Sequence, residues 1–352
     1  MHASTVAIDL AKEVFELAFA DVQGRVVGRK RLGRKAFARV LEQQPPLRVL
    51  LEACGSAHYW GRRFQRHGHA VKLLPARAVR PYVRGNKTDR HDVAGMLEAD
   101  RCSGIVGVPV KTPEQQGIQA LHRLREHLKG ERTATLNLLR GVLREFGVTI
   151  GQGSAKVPGA VRDALEDGDN ELPMALRHSL GEQLQRLAQL EADMVSIERR
   201  LEEYASRDVA VQRYRDVPGV GLLTATALRA SAGDLSRFGS GRQFSAWLGL
   251  TPREHSSGQQ RRLGGLTKRG DVYLRTLLIH GARAVLQAAQ RRHRRGQALD
   301  ALQAWALRVQ AARGHNKAAC ALANKLARRL WAMQHHGQRF DPNHLSRRPK
   351  AA

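Results

Sequence analysis

Cysteine, aromatic residues and long apolar runs are all scarce in this chain of 352 residues, and each scarcity excludes a class of protein. The three cysteines, Cys54, Cys102 and Cys320, are scattered with no CxxC pair, so neither a zinc site nor a disulfide framework is expected, and a reducing cytoplasm fits. Aromatics are 5% of the residues, which argues against broad base-stacking platforms. The start lacks the charged and apolar regions of a secretion signal, and no apolar run approaches the roughly 18 residues of a membrane span. No membrane partner is therefore expected. Acidic residues are also in short supply: 32 Asp and Glu face 59 Lys and Arg, a net charge of +27. That excess destabilises a compact protein unless a polyanion neutralises it, and nucleic acid is the natural partner.

What is present is enough apolar material, 42% of the chain, to bury more than one core. The charge is uneven. Residues 206–352 carry 27 basic and 7 acidic side chains, whereas residues 111–205 carry 13 and 15, so the C-terminal third is the main polyanion-binding part.

Thr5–Leu10, Val14–Asp21 and Arg25–Leu32 read as a three-stranded meander. A helix over Lys35–Gln43, a strand over Leu47–Glu52, a helix over Ser56–His67 and a strand over Ala70–Leu74 follow, predicting an α/β domain with a mixed sheet over residues 1–110. From Pro113 to Phe146, and again from Leu180 to Tyr204, apolar residues recur every three or four positions. Residues 111–205 are thus a helical, coiled-coil spacer. It serves either as a dimerisation arm or as a two-helix hairpin packed on its own chain. Residues 206–340 read as mainly helical, with helices near Val272–Gln290 and Asn316–Gln334 and a basic cluster at Arg291–Arg295; residues 341–352 read as a loose tail.

Four acids in the first domain share a pattern. Asp9 and Glu52 each end an apolar strand, where a carboxylate needs a reason to be, and Asp89 and Asp92 open a helix at i and i+3 on one face. A pair of Mg²⁺ ions, or Mn²⁺ as the alternative, would offset their repulsion and hold the attacking and leaving oxygens of a phosphodiester. Asp89 alone could equally be a helix cap.

In the last domain, Val217-Pro-Gly-Val-Gly221 before an apolar helix fits a helix-hairpin-helix turn, with Gly219 and Gly221 offering N–H groups to phosphate, or a plain helix–helix turn. Downstream, the Ser-Ser-Gly turn of Ser256, Ser257 and Gly258 is flanked by Arg253, Arg261, Arg262, Lys268, Arg269 and Arg275. A hydroxyl held in line among cations can attack a phosphodiester and store its bond energy as phosphoserine, although serine beside glycine is commonly only a turn residue.

In order, IDLAKE, LLEACG, NKTDRHDVAGMLEA, PGVG, LGLTPREHSSG and LTKRGDVYLRTLL resemble the DEDD transposases of the insertion-sequence one-ten family, over nearly the whole chain. The resemblance implies an N-terminal RuvC-like domain of ribonuclease H fold, with Asp9, Glu52, Asp89 and Asp92 as metal ligands. It implies that Ser257, the serine before the glycine with Ser256 adjacent to it, is the nucleophile joined to DNA. It further implies donor and target DNA, a non-coding bridge RNA as guide, homodimers assembling to homotetramers, and a bacterial cytoplasm, at the nucleoid, as the setting. Ala53-Cys54-Gly55-Ser56 stands where the family often has Ala-Thr-Gly-Thr. Two other readings compete: a Holliday-junction-type metal nuclease in which Ser257 is structural, and a nucleic-acid-binding protein without catalysis.

Overall fold

A computed structural model describes residues 3–42, 44–86 and 88–344, and the chain divides into two compact units, split between Gln116 and Gly117.

The first unit is built on strands β1 (Thr5–Asp9), β2 (Val14–Ala20) and β3 (Val26–Gly33), helix α1 (Arg34–Val40), strand β4 (Arg48–Glu52), helix α2 (Ala57–Arg66), strand β5 (Ala70–Leu74), the single-turn α3 (Ala76–Val79) and helix α4 (Asp89–Arg101). The five strands form one mixed sheet in the order β3-β2-β1-β4-β5, antiparallel across the meander and parallel from β1 through β4 to β5. The meander and both later strands fall where the sequence predicts them, each within a residue or two, and α1 begins one residue earlier. Its predicted end at Gln43 lies outside the described residues.

Because side chains alternate along a strand, the sheet has two unlike faces. Val6, Ile8, Phe15, Leu17, Phe19, Val49 and Leu51 pack beneath α1 and α2 on Phe37, Trp60 and Phe64. On the other face stand Ala7, Ala18, Ala20 and Leu50, against Val93, Met96 and Leu97 of α4. Those alanines keep the second face flat and let α4 lie close to the sheet. Gly95 brings the helix equally close to the preceding loop, since a Cβ there would stand 2.8 Å from Val83 Cγ2.

The second unit is helical apart from one hairpin. Two long helices, α5 (Pro113–Glu145) and α7 (Met174–Arg207), run antiparallel, with α6 (Val157–Glu166) packed at their far end. Arg125 reaches Glu198 at 2.7 Å and Arg132 reaches Glu191 at 2.7 Å, a seven-residue step on each helix that marks one register. The seam residues Leu187, Ile197 and Leu201 are buried within the chain. Helix α6 begins within the glycine-rich stretch from Gly151 to Gly159.

The remainder comprises α8 (Val209–Arg215), α9 (Leu222–Ala232), α10 (Gly241–Trp247), a hairpin of β6 (Pro252–Glu254) and β7 (Leu263–Leu266), then α11 (Val272–Arg294), α12 (Ala301–Arg313) and α13 (His315–His336). Their shared core runs from Val211 through Phe244, Leu278 and Leu286 to Leu322 and Leu330. Of the predicted loose tail, residues 345–352 lie outside the described residues, while the carbonyls of Asp341 and His344 accept from Arg329. Among the described residues no helix is long and apolar enough to cross a membrane.

The closest approach in this core is between the α8–α9 turn and α11. A Cβ on Gly281 would stand 1.9 Å from the carbonyl oxygen of Gly219, which itself has φ 81°. Gly281→Ala should therefore force the turn off the helix and cost about 3 kcal/mol, read as a lower urea midpoint. Gly130→Ala, on the exposed side of α5 with nothing within 4 Å, should be neutral or stabilising.

Candidate active site

The sheet's alternation decides where the acids go. Asp9 follows Ala7 on the α4 face of β1, and Glu52 follows Leu50 on the same face of β4. The two strands are parallel neighbours with Ile8 beside Leu51, so both carboxylates leave the sheet at adjacent C-terminal strand ends. Helix α4 brings the other two. Thr88 caps its start by accepting from the His91 N–H at 3.3 Å, His91 Nδ1 lies 2.7 Å from the Asn86 carbonyl, and Asp89 and Asp92 occupy the first turn. The helix N-terminus carries partial positive charge, which favours carboxylates there.

Ligand oxygens of Asp9, Asp89 and Asp92 all lie within 4.8 Å of one another. Glu52 lines the same cleft, of about 710 Å³, together with Cys54 and Arg80. Burial, then the charges of Asp89, Asp92 and Glu52, push Asp9 from 3.8 up to about 6, against a lowering bond from the Leu10 backbone. A set of convergent oxygens with a carboxyl held at that cost fits a hard divalent cation, and this acidic group could bind one. Arg80 escaped the sequence reading because it stands in no pattern of its own, and Cys54 was read only as a scattered cysteine and as part of LLEACG.

The serine region is a β-hairpin rather than a bare turn. Pro252 pairs with Leu266 and Glu254 with Leu263, and at the tip Ser257 and Gln260 exchange backbone hydrogen bonds around Gly258, whose φ of 55° suits the first central position of a type II′ turn. The two serines differ. Ser256 Oγ donates to Glu254 Oε1 at 2.8 Å and accepts from the Arg262 N–H at 3.2 Å. Ser257 is exposed, and among the described residues its hydroxyl makes no hydrogen bond.

Arg253, Arg261 and Arg262 are exposed on this hairpin, with Arg261 Nε 3.2 Å from Glu254, and Lys268 and Arg269 are exposed on the loop that follows. Arg275 stands apart from them. It is 7% exposed, and its Nη1 donates to the carbonyls of Leu248 at 3.1 Å and Gly270 at 3.4 Å, so it fastens the two feet of the hairpin instead of meeting phosphate. Gly270 makes this possible, since a Cβ there would lie 2.1 Å from the Trp247 carbonyl oxygen. Gly219 is likewise turned to the protein, against Gly281, whereas Gly221 is exposed at the start of α9. Glu254, which orders Ser256 and Arg261, was not singled out from sequence because the hairpin itself was not foreseen.

Comparison with known proteins identifies the family. A DEDD transposase family model, described as "Transposase", matches residues 6–148, and one described as "Transposase IS116/IS110/IS902 family" matches residues 211–297. The chain is 42% identical to a "Probable family 20 transposase" of Pseudomonas aeruginosa over 95% of its own length and 97% of that protein. It is 37% identical to the transposase for insertion sequence element IS1111A of Coxiella burnetii (93% and 88%), and 35% identical to that for IS1328 of Yersinia enterocolitica (96% and 99%). The class is thus a transposase, an enzyme that cuts and rejoins DNA. The chain belongs to the IS110 family of DEDD transposases, and the resemblance read from its motifs is borne out.

Two measurements follow from the site's electrostatics. With its carboxyl raised in the folded state, Asp9 binds its proton more tightly folded than unfolded, so stability falls as pH rises from about 4 to about 6 and stays lower above. Without metal at pH 7.5, Asp9→Asn should raise stability by about 2 kcal/mol after allowance for solvent screening. Added Mn²⁺ should raise the Tm of the parent chain but hardly that of the variant. Arg275→Met should cost about 3 kcal/mol by leaving carbonyls unpaired, seen as a lower urea midpoint.

Proposed function

We propose that this transposase recombines donor and target DNA through a covalent link to Ser257, guided by a bridge RNA. The observation that carries the reading is the contrast between the two serines: Ser256 is engaged within the hairpin, while the Ser257 hydroxyl is exposed at the tip of the hairpin that also carries Arg261 and Arg262. As the Oγ–P bond forms, the hydroxyl loses its proton, and the P–O bond to the departing strand end breaks and that oxygen takes up a proton. A later strand end reverses these changes, so no nucleotide triphosphate is consumed. The arginines balance charge developing on the phosphoryl oxygens.

The sheet's order and strand directions, with α4 on the face that carries the acids, support a RuvC-like reading of ribonuclease H fold for residues 1–110. Asp9, Glu52, Asp89 and Asp92 would hold the divalent ion, Mg²⁺ or Mn²⁺. Bound there, it would supply positive charge to the scissile phosphate. Residues 111–205 would be the spacer and residues 206–340 the serine-bearing domain, with Gly221, Arg253, Arg261, Arg262, Lys268 and Arg269 meeting nucleic acid. Dimers pairing into tetramers would let the acidic cleft of one subunit and the serine of another share a phosphate. The basic excess of residues 206–352 suits two polyanions, DNA and RNA, and the setting would be the bacterial nucleoid.

The test is recombination between donor and target plasmids with purified protein, Mg²⁺ and RNA transcribed from the flanking DNA, read on a denaturing gel for protein-linked DNA. The parent chain and Ser256→Ala should form the adduct and Ser257→Ala should not; Asp9→Ala should bind DNA but leave it uncut. Cutting without adduct, equal in Ser257→Ala, would instead make the chain a metal-dependent junction nuclease.

A further inference from the structure

The hairpin has an inner side, and what faces it has no part in the reading above. Pro252, Gly264 and Gly265 form one wall of a cleft of about 620 Å³, and α12 and α13 form the other with Trp305, Lys325 and Arg328. That volume falls within the roughly 300–1,000 Å³ of ordinary ligand pockets. No carboxylate lines it, and among the described residues Lys317, Lys325 and Arg328 make no ion pair. Lys325 Nζ sits 4.0 Å above the Trp305 ring, partly desolvated and beside the like charges of Arg329, Arg328 and Arg308, which together depress its basicity. The cleft holds uncompensated positive charge over an apolar floor, the complement of an anion that carries a flat apolar group.

The paired glycines form a bulge in the hairpin, since Pro252 pairs with Leu266 and Glu254 with Leu263 and the two oppose Arg253 alone. Two glycines weaken a strand of four residues, and strand glycine otherwise marks a bulge, a bend or the close approach of a ligand. Neither has positive φ, no chain atom lies within 4 Å of a Cβ built on Gly265, and the nearest to one on Gly264 is Arg253 Cβ at 3.7 Å. The bulge accounts for the choice of glycine, and what it leaves on the cleft side is open space. The bare wall and Trp305, whose ring carries Lys325 Nζ at 4.0 Å, line the same cleft, which leaves room for a planar ring beside the cation.

We infer that this cleft seats an unpaired nucleotide of the DNA strand held at the hairpin tip, its base between the Gly264-Gly265 wall and Trp305 and its phosphate on Lys317 and Arg328. A duplex stacks its base faces away from such a slot, so the occupant is single-stranded or extruded. Four residue steps separate Gln260 from Gly264, roughly 14 Å when extended, or about four stacked nucleotides at 3.4 Å each. The seat therefore fixes the register of the strand whose phosphate meets Ser257. The inference rests on the serine reading for its strand, but its test does not.

The full chain is titrated with a short fluorescein-labelled single-stranded DNA, its duplex, and RNA of the same sequence, with fluorescence anisotropy as readout. Gly265→Val, placed where space is open, and Lys317→Ala, at the exposed rim, should each weaken single-strand binding about tenfold and change duplex binding less than twofold, at unchanged Tm. Trp305→Phe should retain most affinity and Trp305→Ala lose it. Unchanged single-strand affinity in Gly265→Val and Lys317→Ala would overturn the seat, as would equal loss on duplex, which means a backbone patch, or loss on RNA alone, which means an RNA site. Ser257→Ala should bind the single strand normally. A seat that fails while the adduct still forms refutes this inference alone, and a lost adduct assignment with the seat intact refutes only the serine reading.

Discussion

Four carboxylates converging on one half-buried cleft repel one another, and the first unit is organised around tolerating that repulsion. Two of them leave adjacent parallel strands at their C-terminal ends, and two sit in the first turn of α4, where the backbone dipole offsets part of their charge. The alanine face of the sheet and Gly95 are what bring α4 close enough for Asp9, Asp89 and Asp92 to share a ligand. Asp9, raised to about 6, carries most of the strain, which a divalent cation would convert from a cost into a binding energy.

The serine hairpin is governed by a different constraint. Short strands exposed on both sides hold little stability of their own. Its order comes from below, where buried Arg275 ties the Leu248 and Gly270 carbonyls and Asn324 Nδ2 donates to the Leu250 carbonyl at 3.1 Å. Arg275 read from sequence as one more phosphate-binding cation, because linear proximity to a basic cluster cannot distinguish a side chain that points into the core. Gly219 shows the same ambiguity: a glycine in a turn offers its N–H outward or its bareness inward, and here Gly281 occupies the inner side.

Much of the architecture was legible because its signals are local. Period-two strands located the sheet, and three-four spacing located α5, α7 and α11. The hairpin was not legible, since strands of three and four residues, one of them half glycine, leave no alternation to detect. Helix α12 escaped because its apolar residues are mostly alanine, and α6 because a proline and a glycine open it.

By itself the sequence determined the family, the polyanion-binding character and the four acids at two strand ends and one helix start, because motif order, charge and strand alternation are properties of the chain as written. Only the tertiary structure decided which face of the sheet the acids share, that the long helices close their seam on one another, and that Ser257 is exposed while Ser256 is engaged and Arg275 is buried. Each of those depends on what a side chain meets across space, between residues up to seventy or eighty positions apart, and no local pattern carries that.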